Sequence, residues 1–144
     1  MRRFTSGREL NRLYYREAVA PIISSGFPKL RYGAALIGPG SDVLGYDSDR
    51  STDHGWGPRL LLFLAQDDHR SIARSLSERL SARLPATYRG FATKFSNPLK
   101  GVGHTEPDDA GRVPHSVEIH SLRDFVRGML NIDLALPLKN WAGR

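Results

Sequence analysis

The sequence predicts a single α/β (α+β) domain over residues 1–144, with a small mixed sheet flanked by helices. Three observations predict it. Apolar residues recur at helical spacing in three segments, starting near Leu10, Ile72 and Leu122. Two short runs, "LLLFL" and "SVEIHSL", read as strands of different burial. Glycine, proline and polar clusters separate them, and 144 residues suffice for a core without metal or disulfide staples.

The first element is predicted as a helix. Ser6 and Glu9 fit a capping box, Leu10, Leu13, Tyr14 and Ala18 share one face, and Pro21 marks its last turn or end. Gly26 and Pro28 break the chain before a short strand at Tyr32–Ile37. Leu60–Leu64 reads as a strand buried on both faces. Asp67 or Asp68 can cap the next helix, which buries Ile72, Ala73, Leu76, Leu80 and Leu84 and stops at Pro85. "TYRGFATKF" then reads as a strand with Phe91, Thr93 and Phe95 on one face, followed by a long polar loop, "SNPLKGVGHTEPDDAGR". In "SVEIHSL", Val117 and Ile119 point inward while Glu118 and His120 take the other face. Ser121 caps a last helix with Leu122, Phe125, Val126, Met129 and Leu130 at core spacing. The tail "DLALPLKNWAGR" is expected to dock on this domain, on a partner, or on a helical domain outside this chain.

Composition narrows the function classes. Forty per cent apolar and a quarter charged is typical of a soluble globular chain, and no run has the length of a membrane span. The basic start lacks an apolar signal segment, and the absence of cysteine removes disulfides, thiolate metal sites and a cysteine nucleophile. A cytoplasmic protein without a membrane partner is the expectation. The net charge of +6 favours anionic partners. Arg70, Arg74, Arg79 and Arg83 fall in one predicted helix, where a solvated face is the plain alternative to a nucleic-acid patch. His115 and His120 differ by an odd number of positions, which argues against a zinc pair on one strand face.

The stretch "GPGSDVLGYDSDRSTDHGWGPR" (Gly38–Arg59), directly before "LLLFL", concentrates glycine, serine and aspartate. With the strand before it and the strand after it, this stretch resembles the core of the nucleotidyltransferase (polymerase-beta-like) superfamily. Within that superfamily it is most similar to an uncharacterised bacterial family with a Gly-Ser…Asp-His-x-Trp-Gly-Pro-Arg pattern. The likeness runs from "FTSGRELNRLYY" to "VEIHSLRDFVRGML". It implies a strand, Gly-Ser at the start of a short helix, paired carboxylates on the next strand and a third carboxylate on a neighbouring strand. A second, helical partner domain that commonly accompanies such a core is not visible in this chain.

The resemblance assigns roles to particular residues, and elementary chemistry is compatible with each. Gly40 and Ser41 would hold a triphosphate through backbone N–H groups and a hydroxyl. Asp53 would be a metal ligand and catalytic residue, since Asp47 and Asp49 follow Ser41 too closely. Hard Mg²⁺ needs such carboxylate oxygens. Glu118 would be a further metal-binding and catalytic carboxylate, or else a solvent-facing residue of a half-buried strand. Trp56 would stack on a base or pack beside the strand, and Arg59 would meet phosphate or pair with an Asp of the preceding loop. One position departs from the pattern: two residues after Asp53 stands Gly55, which has no ligand to offer. The expected function is therefore Mg-NTP binding with transfer of a nucleoside monophosphate to a hydroxyl-bearing acceptor. That acceptor could be a small molecule, a protein side chain or RNA. A catalytically degenerate nucleotide-binding or regulatory module, and a basic nucleic-acid-binding module, are the alternatives.

Overall fold

The computed structural model describes residues 4–38, 40–48, 50, 56–93 and 115–131. Helix α1 spans Gly7–Tyr14 and starts where the capping pattern places it. Ser6 is extended, and its hydroxyl accepts from the Glu9 backbone N–H at 3.3 Å. The reciprocal half of the box gives way to an ion pair, because the Glu9 carboxylate takes both Nε and Nη2 of Arg12 at 2.8 and 2.6 Å.

Pro21 does not end this helix. The chain widens into a π-helical turn at Tyr15–Val19, closed by the Ala20 N–H on the Tyr15 carbonyl, and continues as α2 over Ala20–Gly26. A proline inside an α-helix clashes with the carbonyl four residues back. The wider turn just before it relieves that clash, and Pro21 enters α2 as a first-turn residue.

Strand β1 covers Tyr32–Ala35, two residues shorter than expected. Helix α3 (Ser41–Leu44) follows, and β2 is Leu60–Leu64 as predicted. Helix α4 runs Gln66–Arg83 with Ala65 at its N-cap. Asp67 and Asp68 lie in its first turn, where their charge still favours the helix dipole. "TYRGFATKF" forms a hairpin rather than one strand: β3 (Thr87–Tyr88) pairs antiparallel with β4 (Phe91–Ala92). Arg89 and Gly90 both take positive φ, 50° and 89°, as a two-residue hairpin turn requires. Thr93 is buried beyond β4 and Phe95 lies outside the described residues. Strand β5 is Val117–Ser121 and helix α5 is Leu122–Leu130, capped by the Ser121 hydroxyl on the Asp124 N–H at 3.3 Å.

The main sheet has the order β1-β2-β5 and is mixed. β1 runs antiparallel to β2 with Ala35 opposite Leu61, and β5 runs parallel to β2 with Glu118 beside Leu61. One face is the core. Leu60, Leu62, Leu64 and Val117 meet Tyr14, Val19 and Ile23 of the first helical layer and Leu76, Leu80 and Leu84 around α4. The other face carries Leu61, Phe63, Glu118 and His120. α5 covers part of it through Phe125, whose ring centroid lies 4.8 Å from that of Phe63.

The expectation that α5 contributes core residues is corrected here. None of its side chains is buried, and Leu122, Met129 and Leu130 are exposed. Helical periodicity establishes an apolar face without saying what lies against it. No described helix is long and apolar enough to cross a membrane.

Candidate functional site

The Gly40–Ser41 turn rests on a buried ion pair. Arg59 Nη2 donates to Asp42 Oδ1 at 2.9 Å, with side-chain exposures of 18% and 2%. The Val43 N–H reaches the same oxygen at 3.0 Å, while Asp42 Oδ2 is buried without a hydrogen-bond partner among the described residues. Gly40 sits directly over the pair. Its φ is 141°, and a Cβ there would approach Arg59 Nη2 to 2.9 Å and collide with Asp42 Oδ1. Only glycine meets both demands.

Two further polar knots tie this turn to the start of α1. Asn11 is buried and fully engaged: its Nδ2 donates to the Gly7 and Gly57 carbonyls at 2.8 and 3.2 Å, and its Oδ1 accepts from the Arg59 N–H at 2.6 Å. Asp47 Oδ2 accepts from the Gly7 N–H at 2.5 Å and from the Trp56 indole Nε1 at 2.9 Å. Burial pushes the Asp47 carboxyl up, but those two donors, its own backbone N–H and the nearby Arg8 charge outweigh it and hold it below the usual carboxylate range. Gly7 leaves no room for a side chain, because a Cβ would collide with Asp42 Cβ and lie 2.7 Å from Trp56 Nε1.

The sequence-predicted residues divide accordingly. Trp56 is only 5% exposed; its ring meets Phe91 edge-on at 4.7 Å and Phe4 at 6.2 Å. That enclosure engages the indole in packing and leaves no open ring face for a base. Arg59 does pair with an Asp of the preceding stretch, but that residue, Asp42, lies in helix α3 and not in a loop. Gly40 is exposed and Ser41 half-buried at the start of α3. Asp53 and Gly55 lie outside the described residues.

Glu118 stands apart from this cluster. Its side chain is 65% exposed on the open sheet face, and His120 Nε2 lies 2.8 Å from its Oε2. His120 in turn stacks near Phe63 at 6.1 Å. His115 faces α4 instead, with Nε2 3.2 Å from the Ser77 carbonyl. Because β1 is antiparallel to β2 and β5 is parallel to β2, the C-terminal end of β1 lies at the N-terminal ends of β2 and β5. The Gly-Ser turn, Arg59 and Glu118 therefore belong to one end of the sheet. Among the described residues, no group of three or more His, Asp or Glu side chains is placed to hold a metal ion.

Sequence reasoning missed Asp42 and Asn11. Their role depends on space left by Gly7 and Gly40 and on a carbonyl from Gly57, none of which has a signature in a linear pattern. The chain matches no protein-family model, no curated protein and no solved structure.

Proposed function

We propose that this chain is a nucleotidyltransferase-like domain that binds a nucleoside triphosphate with Mg²⁺ and transfers the nucleoside monophosphate to a hydroxyl-bearing acceptor. One observation carries the reading: a strand runs into a Gly-Ser turn and short helix, and β5, across β2 from that strand, presents an exposed carboxylate at the same end of the sheet. On this reading Ser41 and the backbone around Gly40 hold phosphate, and Glu118 with Asp53 holds the metal. The exposed oxygens of Glu118 are the hard donors that Mg²⁺ takes. Bound there, the ion would supply charge neutralisation for the phosphates. Arg59 and Trp56 act indirectly, by fixing the turn. A cytoplasmic setting belongs to the same proposal and rests on the cysteine-free composition.

Calorimetry with Mg-ATP and Mg-GTP, followed by a labelled-nucleotide transfer assay, tests the proposal. Saturable binding that weakens on removing Mg²⁺ and in Glu118→Gln supports it; no binding of either nucleotide overturns it. Gly55 favours a second reading, a degenerate nucleotide-binding or regulatory module. Binding without transfer, together with transfer gained in Gly55→Asp, selects that reading. The nucleic-acid reading has less support. Arg74 pairs with Glu78 at 3.1 Å, and Arg79 folds back onto the Ile22 carbonyl and Ser25, so the arginines of α4 do not act as one free stripe.

A further inference from the structure

A cavity of about 320 Å³ lies between α1, the C-terminal end of β1, α3 and the first residue of β2. The nucleotide reading does not use it. From α1 and the turn that follows come Arg8, Asn11, Arg12 and Tyr15. The opposite wall is apolar: Ala34, Ala35 and Leu36 around the end of β1, Val43 of α3, and Leu60 of β2. Leu60 belongs to the buried core, so that wall reaches inward from the surface. The space exists because β1 supplies Ala34 and Ala35 where its partner strand supplies Leu62 and Leu61. A concave volume of this size, with an apolar wall and few polar groups, is at the lower end of the range for small-molecule sites.

The polar groups fix the sign of the ligand. The lining carries two guanidinium groups and no carboxylate. Arg8 and Arg12 are four positions apart, share a face of α1, and are both exposed, which puts them at the rim. Arg8 makes no ion pair among the described residues. Arg12 is held by Glu9, but that pair is exposed, and such pairs are weakly held. Tyr15 adds a donor. Its hydroxyl and that of Tyr32 share one hydrogen bond at 3.0 Å. Two hydroxyls carry two protons and one bond uses one of them, so a second O–H is left to donate. Asn11, by contrast, is already engaged with the Gly7 and Gly57 carbonyls and the Arg59 N–H, and only shapes the wall.

We propose that this cavity binds a small organic anion with one carboxylate or phosphate head and an apolar body of about two fused rings. The head meets Arg8 and Arg12, whose planar guanidinium groups pair with either oxyanion. The body lies against Ala35, Val43 and Leu60. An inorganic anion would leave the apolar wall wet, and an uncharged body would leave both guanidinium groups unused. The proposal needs neither nucleotide nor Mg²⁺.

Calorimetric titration of the full chain, in EDTA and without nucleotide, tests it with 1-naphthoate and 1-naphthyl phosphate. The expected result is saturable binding of at least one of them, one per chain, with 1-naphthylmethanol and inorganic phosphate each binding at least about tenfold more weakly. The tighter of the two anions identifies the head group. Ala35→Leu, which fills the cavity, and the double variant Arg8→Gln with Arg12→Gln should each weaken binding at least about tenfold. Absence of saturable binding by either anion overturns the proposal. So does equal affinity for 1-naphthylmethanol, which would remove the charge from the account, or wild-type affinity in either variant, which would put the probe elsewhere. If Ala35→Leu fails to fold, amide shifts on titrating the wild type take its place: changes centred on residues 34–36, 43 and 60 support the site, and changes centred elsewhere overturn it.

Discussion

The carboxylates beside the Gly-Ser turn and the carboxylate on β5 live in opposite environments. Asp42 is buried against Arg59, and Asp47 gathers the Gly7 N–H and the Trp56 indole. Glu118, at the same end of the sheet, keeps most of its surface in solvent beside His120. A carboxylate that accepts several buried donors is a structural element, since moving it leaves those donors unsatisfied. One that is largely solvated and, among the described residues, meets a single half-buried imidazole is free to take another ligand. The chemistry proposed for this end of the sheet therefore belongs to Glu118 and to the turn, while Asp42 and Asp47 hold the turn's shape.

The strongest way to break this contrast is to remove Arg59. Arg59→Met should destabilise the fold by about 3–5 kcal/mol, because it strands a buried carboxylate whose second oxygen has no partner among the described residues. Combining it with Asp42→Ala should recover much of that loss, since the charge is removed with its partner. Denaturant unfolding of the two singles and the double completes the cycle. Strict additivity would show that the pair does not act as a unit.

Trp56→Ala comes next, at about 3–4 kcal/mol, from the lost packing against Phe91 and Phe4 and a stranded Asp47 acceptor. If the loss falls below about 1 kcal/mol while nucleotide affinity collapses, the indole is a ligand group and the packing assignment is wrong.

Asp47→Asn probes the same knot more gently. A weakened acceptor for two N–H donors should cost about 1.5–3 kcal/mol near neutral pH. The native carboxyl titrates below its ordinary value. Its stabilisation is therefore present in full above the unfolded value of roughly 3.9 and is lost as pH falls through the native one. Unfolding measured from pH 6 down to pH 2 should show wild type losing more stability than Asp47→Asn. Parallel curves would remove the charge from the account.

How much of this was readable in the residues depends on whether a feature is local. "LLLFL" and the Ser121 cap are local, and both elements form where the pattern places them. The π turn before Pro21 is not, because nothing in "YREAV" distinguishes a wider turn from an α-helical one. The Arg89–Gly90 turn was hidden because arginine seldom takes positive φ. At the candidate site, Gly40 was legible as the residue before a helix start. The Asp42–Arg59 contact bridges seventeen positions, and only the fold selects Asp42 from the acidic residues of that stretch.

The smallest structural effect and the sharpest functional one should coincide at Glu118. Its side chain is largely solvated, so Glu118→Gln should change unfolding free energy by no more than about 0.5 kcal/mol. The glutamine keeps the shape and an acceptor oxygen for His120 but withdraws the charge that a hard cation needs. If Glu118 holds Mg²⁺, affinity for Mg-ATP should fall at least about tenfold, with affinity for metal-free ATP little changed. A variant that unfolds like wild type and also binds Mg-ATP like wild type would make Glu118 an ordinary surface residue of β5. A variant that loses several kcal/mol would place it with Asp42 and Asp47 instead, and the division between structural and open carboxylates would fail.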